Sequence, residues 1–205
     1  YVVEEYFLKG TAQGYRKVGE AGPDAKWQAA PAETSPYATR IVVVRPADPK
    51  KFNGTAAVEW LNVTGGLDIG PDWSFTHREL MRSGYAWVGV SAQKVGVEGG
   101  ASMAGPSTGA LKKANPARYG TLNHPGDAYA FDIYSQAGQV VRNGNVLGPL
   151  KAKRLLALGE SQSAIFMTTY VNAIDPLVKV YDGFFVHSRF GGAPGVDAAR
   201  VAPQA

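Results

Sequence analysis

The chain alternates between runs that suit burial and stretches that do not. "YVVEEYFLKGTA" (1–12) reads as a strand, and a loop rich in Gly, Pro and Ala leads on to Pro36. "YATRIVVVRP" (37–46) is a second strand, closed by Pro46 and the turn residues Asp48 and Pro49. "TAAVEWLNV" (55–63) is a third, running straight into the glycine-rich "TGGLDIGPDW". "SFTHRELMRSG" has helical spacing, with Phe75, Leu80 and Met81 apolar and Gly84 after its last turn. "YAWVGVSA" (85–92) is nearly all apolar, the pattern of a strand buried on both faces of a sheet.

Residues 93–126 break this rhythm, with many glycines and no clear period. A segment so long inside a compact domain usually shapes or shields a site. Beyond it, Asp127 is placed to cap a helix that presents Ala130, Ile133, Tyr134, Ala137, Val140 and Val141 on one face. "RLLALGE" (154–160) is a fifth strand, "SQSAIFMTTYVNAI" (161–174) a helix ended by Asp175-Pro176, and "VYDGFFVHSR" (180–189) a sixth strand. Strands alternating with helices predict an α/β domain: a mostly parallel sheet with helices on both faces.

Composition narrows the function. The 205 residues are 45% hydrophobic and 19% charged, which fits one globular domain. Net charge is +4, with the basic residues scattered; the tightest cluster, "KAKR" (151–154), merely flanks a strand. No basic stripe suits a phosphate backbone, so no nucleic-acid partner is expected. The absence of cysteine excludes disulfides, thiolate metal sites and a cysteine nucleophile. No run approaches eighteen apolar residues, so no membrane span is expected. The compartment stays open, secretion and a periplasmic location included. No G-x-G-x-x-G follows a predicted strand, which argues against dinucleotide binding.

The chemistry gathers at "G159-E-S-Q-S163". This is the nucleophile-elbow pattern G-x-S-x-G with serine at the last position. A serine held on so sharp a strand-to-helix turn needs small neighbours two residues away, or strand and helix collide. The motif alone is common, but here it follows a buried strand and opens a helix apolar on most sides, as the elbow requires. An acyl-transfer serine also needs donors for an oxyanion. Gln162 supplies one backbone N–H, and the loop "V63-T-G-G66" offers a second, from Thr64 first and Gly65 next.

"ALGESQSA", "YVNAIDPL", "VYDGFFVHSR", "VEWLNVTGGLDIGPDW" and "HPGDAYAFDIYSQAGQ" together resemble the alpha/beta hydrolase domain-containing proteins over nearly the whole chain. The resemblance implies an α/β-hydrolase fold with Ser161 as nucleophile. It also implies hydrolysis of a small-molecule carboxylic ester with neither metal nor cofactor.

In that superfamily the triad runs Ser, then Asp or Glu, then His. His187 is the sole histidine after Ser161, with Asp175 and Asp182 between them. Asp182 and His187 lie five residues apart on one predicted strand, roughly 16 Å at about 3.3 Å per residue, too far for a hydrogen bond. His187 is therefore expected as a pocket-wall or structural residue, with Tyr119 and Trp73 beside the entrance. His77 reads as a surface or packing residue. His124 reads as a pin for the long segment, with a base role as the lesser alternative. Residues 1–205 are thus expected to be the N-terminal portion of a single hydrolase domain. The acid and histidine are expected beyond Ala205, in the remainder of the same protein or in a separate chain of it. A fold kept only for binding, without catalysis, is the competing expectation.

Overall fold

A computed structural model describes residues 1–20 and 28–197, together with the backbone of 201–203. Six strands make one sheet: β1 (Val2–Val18), β2 (Gln28–Arg45), β3 (Thr55–Trp60), β4 (Ala86–Val90), β5 (Arg154–Glu160) and β6 (Gly183–His187). Across the sheet their order is β1-β2-β4-β3-β5-β6. β2 runs against both β1 and β4, and β4, β3, β5 and β6 are mutually parallel. One strand of six therefore opposes the others, and the sheet is mixed.

β1 and β2 reach further than their sequence patterns suggest. Residues 28–36 pair with 11–18 instead of forming a loop, while 21–27 lie outside the described residues. Pro31 and Pro36 fit there because this part of β2 pairs only with β1. A residue without an N–H is tolerated where one edge is unpaired.

Side-chain alternation along β3 sends Ala57 and Glu59 to one face and Ala56, Val58 and Trp60 to the other. Helix α1 (Pro71–Arg82) covers the first face, where Trp73 and Leu80 pack with Ala57, Leu61 and Trp87. Helices α2 (Ala130–Asn143) and α3 (Gln162–Thr169) cover the second. There Trp60 sits with its ring 5.0–5.9 Å from those of Phe131, Tyr134 and Phe166. This cluster clamps α2 and α3 against the strand ends that carry the site.

Two helix-boundary expectations are corrected. Pro176 does not end α3: the chain widens into a π turn over Tyr170–Ile174 and continues as an α turn over Asp175–Val178. The Asp175 N–H reaches back to the Tyr170 carbonyl, and Pro176 falls in the first turn of the new segment, where its missing N–H is not needed. Asp127 does not cap α2. A 3₁₀ turn (Asp127–Tyr129) precedes that helix, and the Asp127 carboxylate accepts from Lys94 N–H (2.7 Å) and Gln93 Nε2 (3.1 Å) instead.

The segment 93–126 has a small core of its own. Short helices at Lys94–Glu98, Leu111–Ala114 and Pro116–Tyr119 bury Val97, Leu111 and Leu122 against Ala38. A bridge between Asn123 and Ala38 fastens it to β2.

Candidate active site

β5 ends at Glu160 and α3 begins at Gln162, so one residue, Ser161, must turn the chain. It does so at φ +55°, ψ −114°, a conformation that costs a non-glycine residue on the order of 1–3 kcal/mol. Hydrogen bonds on both sides hold it. The Ser161 N–H donates to the His187 carbonyl (3.1 Å), extending the β5–β6 ladder, and the Ile165 N–H donates to the Ser161 carbonyl (3.2 Å). The neighbours two residues away are confined. A Cβ on Gly159 would lie 2.5 Å from Met167 Cγ and 3.3 Å from the Ser163 carbonyl carbon. Ser163 is fully buried, and its hydroxyl finds no partner among the described residues.

The loop after β3 lies against this corner. Asn62 holds it, donating from Nδ2 to the Glu160 carbonyl (3.1 Å) and accepting the Thr64 N–H at Oδ1 (2.9 Å). The second bond is an Asx turn, so Thr64's amide is already committed. The amides of Gly65 and Gln162 donate to no acceptor among the described residues. Gln162 is the first residue of α3, where helix geometry leaves an N–H free.

A cavity of about 620 Å³ opens beside Gln162. Its walls include Val63 from the β3 loop, Met103 from the long segment, Ile165 and Phe166 from α3, and Phe190 beyond β6. Polar groups enter it as a chain. The Val63 N–H donates to Gln162 Oε1 (3.4 Å), Gln162 Nε2 to Gln93 Oε1 (2.9 Å), and Gln93 Nε2 to Asp127 (3.1 Å). Trp60 Nε1 also donates to Gln93 Oε1 (3.1 Å). An indole N–H can only donate, so the orientation of the Gln93 amide is fixed.

Of the residues expected around the pocket, Trp73 and Tyr119 do not line this cavity, and His187 takes the structural alternative. Trp73 lies under α1, on the opposite face of the sheet from α3, with its ring 4.9 Å from that of Trp87. Tyr119 packs toward β1, its hydroxyl donating to Glu5 (2.9 Å) and its ring 6.0 Å from Phe7. His187 ends β6 on the α1 face, where Nε2 meets Asp72 Oδ1 at 2.8 Å. In each case strand alternation or local packing turned the side chain away from the cavity.

Each of the three histidines is tied. His187 Nδ1 meets the Ser188 hydroxyl at 3.1 Å while Nε2 holds Asp72. His124 is buried; Nε2 donates to the Ala92 carbonyl (2.8 Å) and Nδ1 accepts the Gly126 N–H (3.3 Å), which fixes a neutral tautomer. Burial also pushes its pKa down. His77 bonds through Nδ1 to the Trp73 carbonyl (3.0 Å) within α1.

Asn62, Gln93 and Asp127 are not recognisable from sequence as organisers of the site, since amides and single carboxylates in loops carry no pattern. Glu59 did leave a trace, as a charge inside an apolar strand. It is fully buried and accepts from Asp72 N–H (2.9 Å), Trp73 N–H (3.0 Å) and Trp87 Nε1 (2.7 Å). Burial, and then the nearby Asp72 carboxylate, raise its pKa to about 7.

The family described as "Alpha/beta hydrolase domain" matches residues 1–205. The chain belongs to this family. Among solved structures it is similar to the esterase Est22, at 13% identity and a TM-score of 0.47, covering 94% of this chain and 46% of that one. A second is a brefeldin A esterase, described as a bacterial homologue of human hormone-sensitive lipase: 13% identity, TM-score 0.43, 90% of this chain and 40% of that one. A third is the carboxylesterase Cest-2923 from Lactobacillus plantarum WCFS1: 10% identity, TM-score 0.42, 77% of this chain and 45% of that one. The chain thus spans less than half the length of each. A search of curated proteins finds no match. No helix among the described residues is long and apolar enough to cross a membrane.

Proposed function

We propose that this hydrolase-family chain carries the nucleophile of a serine esterase, and that Ser161 attacks a carboxylic ester to form an acyl-enzyme. The observation that carries the reading is the Ser161 backbone, held at φ +55° between two confined small residues. Strain of this kind persists only where the surroundings enforce it, and it collects at functional sites. In the proposed reaction Ser161 Oγ bonds to the ester carbonyl carbon as its proton passes to a histidine. The carbonyl oxygen, now negative, is held by the amides of Gln162 and Gly65, which have no acceptor among the described residues. Thr64 joins them only if Asn62 releases its N–H. The intermediate then expels the alcohol, which takes the proton, and water repeats the sequence to release the acid.

The three histidines here are held by other partners. The proton acceptor and its orienting carboxylate are therefore assigned to polypeptide beyond these 205 residues. Fluorophosphonate labelling of the whole protein, followed by peptide mapping, is the test. The label is expected on Ser161 and lost in Ser161→Ala together with turnover of nitrophenyl esters. An unlabelled Ser161 in a folded protein sinks the reading in favour of a non-catalytic binding fold.

A further inference from the structure

Among the described residues, Asp127 is the only ionisable one in the wall of the cavity beside Gln162. It was expected to cap a helix, and it does something else. Lys94 N–H binds Oδ1 and Gln93 Nε2 binds Oδ2, so both oxygens are fixed by neutral donors. The direction of that contact is not arbitrary. Trp60 Nε1 and Gln162 Nε2 both donate to Gln93 Oε1, which leaves the Gln93 NH₂ to face Asp127. The carboxylate therefore sits at the receiving end of a donor chain. No ion pair among the described residues includes it. Two bonds also leave about half of its lone-pair sites open. Exposed Phe190 also brings an aromatic ring to this wall, and a ring face attracts a cation.

We propose that this cavity binds the cationic end of its substrate: an ester whose apolar acyl or alcohol group carries an ammonium, held by Asp127 and the Phe190 ring. The assignment deepens the esterase reading and rests on it for the ester, but not for the cation. A fixed, unpaired carboxylate in an apolar pocket discriminates by charge, since a neutral group of the same shape leaves it without a counter-ion.

The test uses the whole protein and matched pairs of ligands. For the acyl side, p-nitrophenyl 4-(trimethylammonio)butanoate is compared with its neutral isostere, the 5,5-dimethylhexanoate. For the alcohol side, butyrylthiocholine is compared with the 3,3-dimethylbutyl thioester. One pair is expected to show kcat/KM higher for the cation, and Asp127→Asn to lower that cation-to-neutral ratio by about tenfold. Binding is measured separately by calorimetry on Ser161→Ala, with 4-(trimethylammonio)butan-1-ol and 5,5-dimethylhexan-1-ol. The cation is expected to bind more tightly, and the double variant with Asp127→Asn to lose that preference. If no ester turns over yet the binding preference holds, the esterase reading falls and the cation site stands. If binding shows no preference for the cation, or Asp127→Asn leaves the preference intact, the cation site is overturned.

Discussion

Gly159 and Met167 meet where strand turns into helix, so closely that a methyl on Gly159 would come within 2.5 Å of Met167 Cγ. Met167 is fully buried and has little room to retreat. Gly159→Ala should therefore overpack the corner at a cost of about 1–3 kcal/mol and shift Ser161 with it. Urea denaturation and ester turnover of the variant check this. Unchanged stability with unchanged kcat would show that the corner is looser than its geometry.

On the other side of Ser161 the prediction splits by size. The Ser163 hydroxyl is buried without a partner among the described residues, so Ser163→Ala should be neutral or stabilising by up to about 1 kcal/mol. Ser163→Phe should lower stability by about 1–3 kcal/mol, because the same space has no volume for a ring. A Phe variant as stable as the parent would count against the elbow geometry.

Glu59 gives a pH dependence of defined sign. Its pKa rises from 4.5 to about 7 in the folded protein, through burial first and the Asp72 carboxylate second. The folded state then holds a proton that the unfolded chain releases, so stability falls as pH rises from about 4.5 to 7. The full effect is on the order of 3 kcal/mol. Glu59→Gln should be less stable overall, since one oxygen cannot serve three donors, but should lack this slope. Urea midpoints taken across that pH range for both proteins are compared by slope. Parallel curves would mean that Glu59 stays ionised throughout, its three N–H donors outweighing burial.

These predictions rest on features of unequal legibility in the sequence. The strand ending at Glu160 and the turn at Ser161 were readable because an apolar run, a glycine and a serine fall in a spacing that few local structures accommodate. The extent of β2 was not, since residues 28–36 are held by pairing with β1, and Pro31 and Pro36 locally argue against a strand. Asp127 was misread for a similar reason: a carboxylate before a helix looks like a cap, and only the approach of Gln93 and Lys94 redirects it. The position of His187 was decided by which face of the sheet it reached, which the period-two rule predicts only once strand register is known, and that of Trp73 by the face that α1 covers. The commitment of Thr64's amide turns on one side-chain bond to Asn62, which no pattern announces.

The sharpest test of Ser161 separates its backbone from its hydroxyl. Ser161→Ala removes the oxygen but keeps a Cβ at φ +55°, whereas Ser161→Gly removes both. If Ser161 is the nucleophile, both should lose turnover by on the order of 10⁶. Their stabilities should differ. Glycine adopts this conformation without the strain of about 1–3 kcal/mol, though it forfeits about 0.5–1 kcal/mol in chain entropy on folding. Ser161→Gly should therefore be more stable than Ser161→Ala by about 1 kcal/mol, read as a shift in urea midpoint. Equal stabilities would mean that the turn is relaxed, removing the observation on which the nucleophile rests. Turnover surviving in either variant would place the nucleophile on another residue.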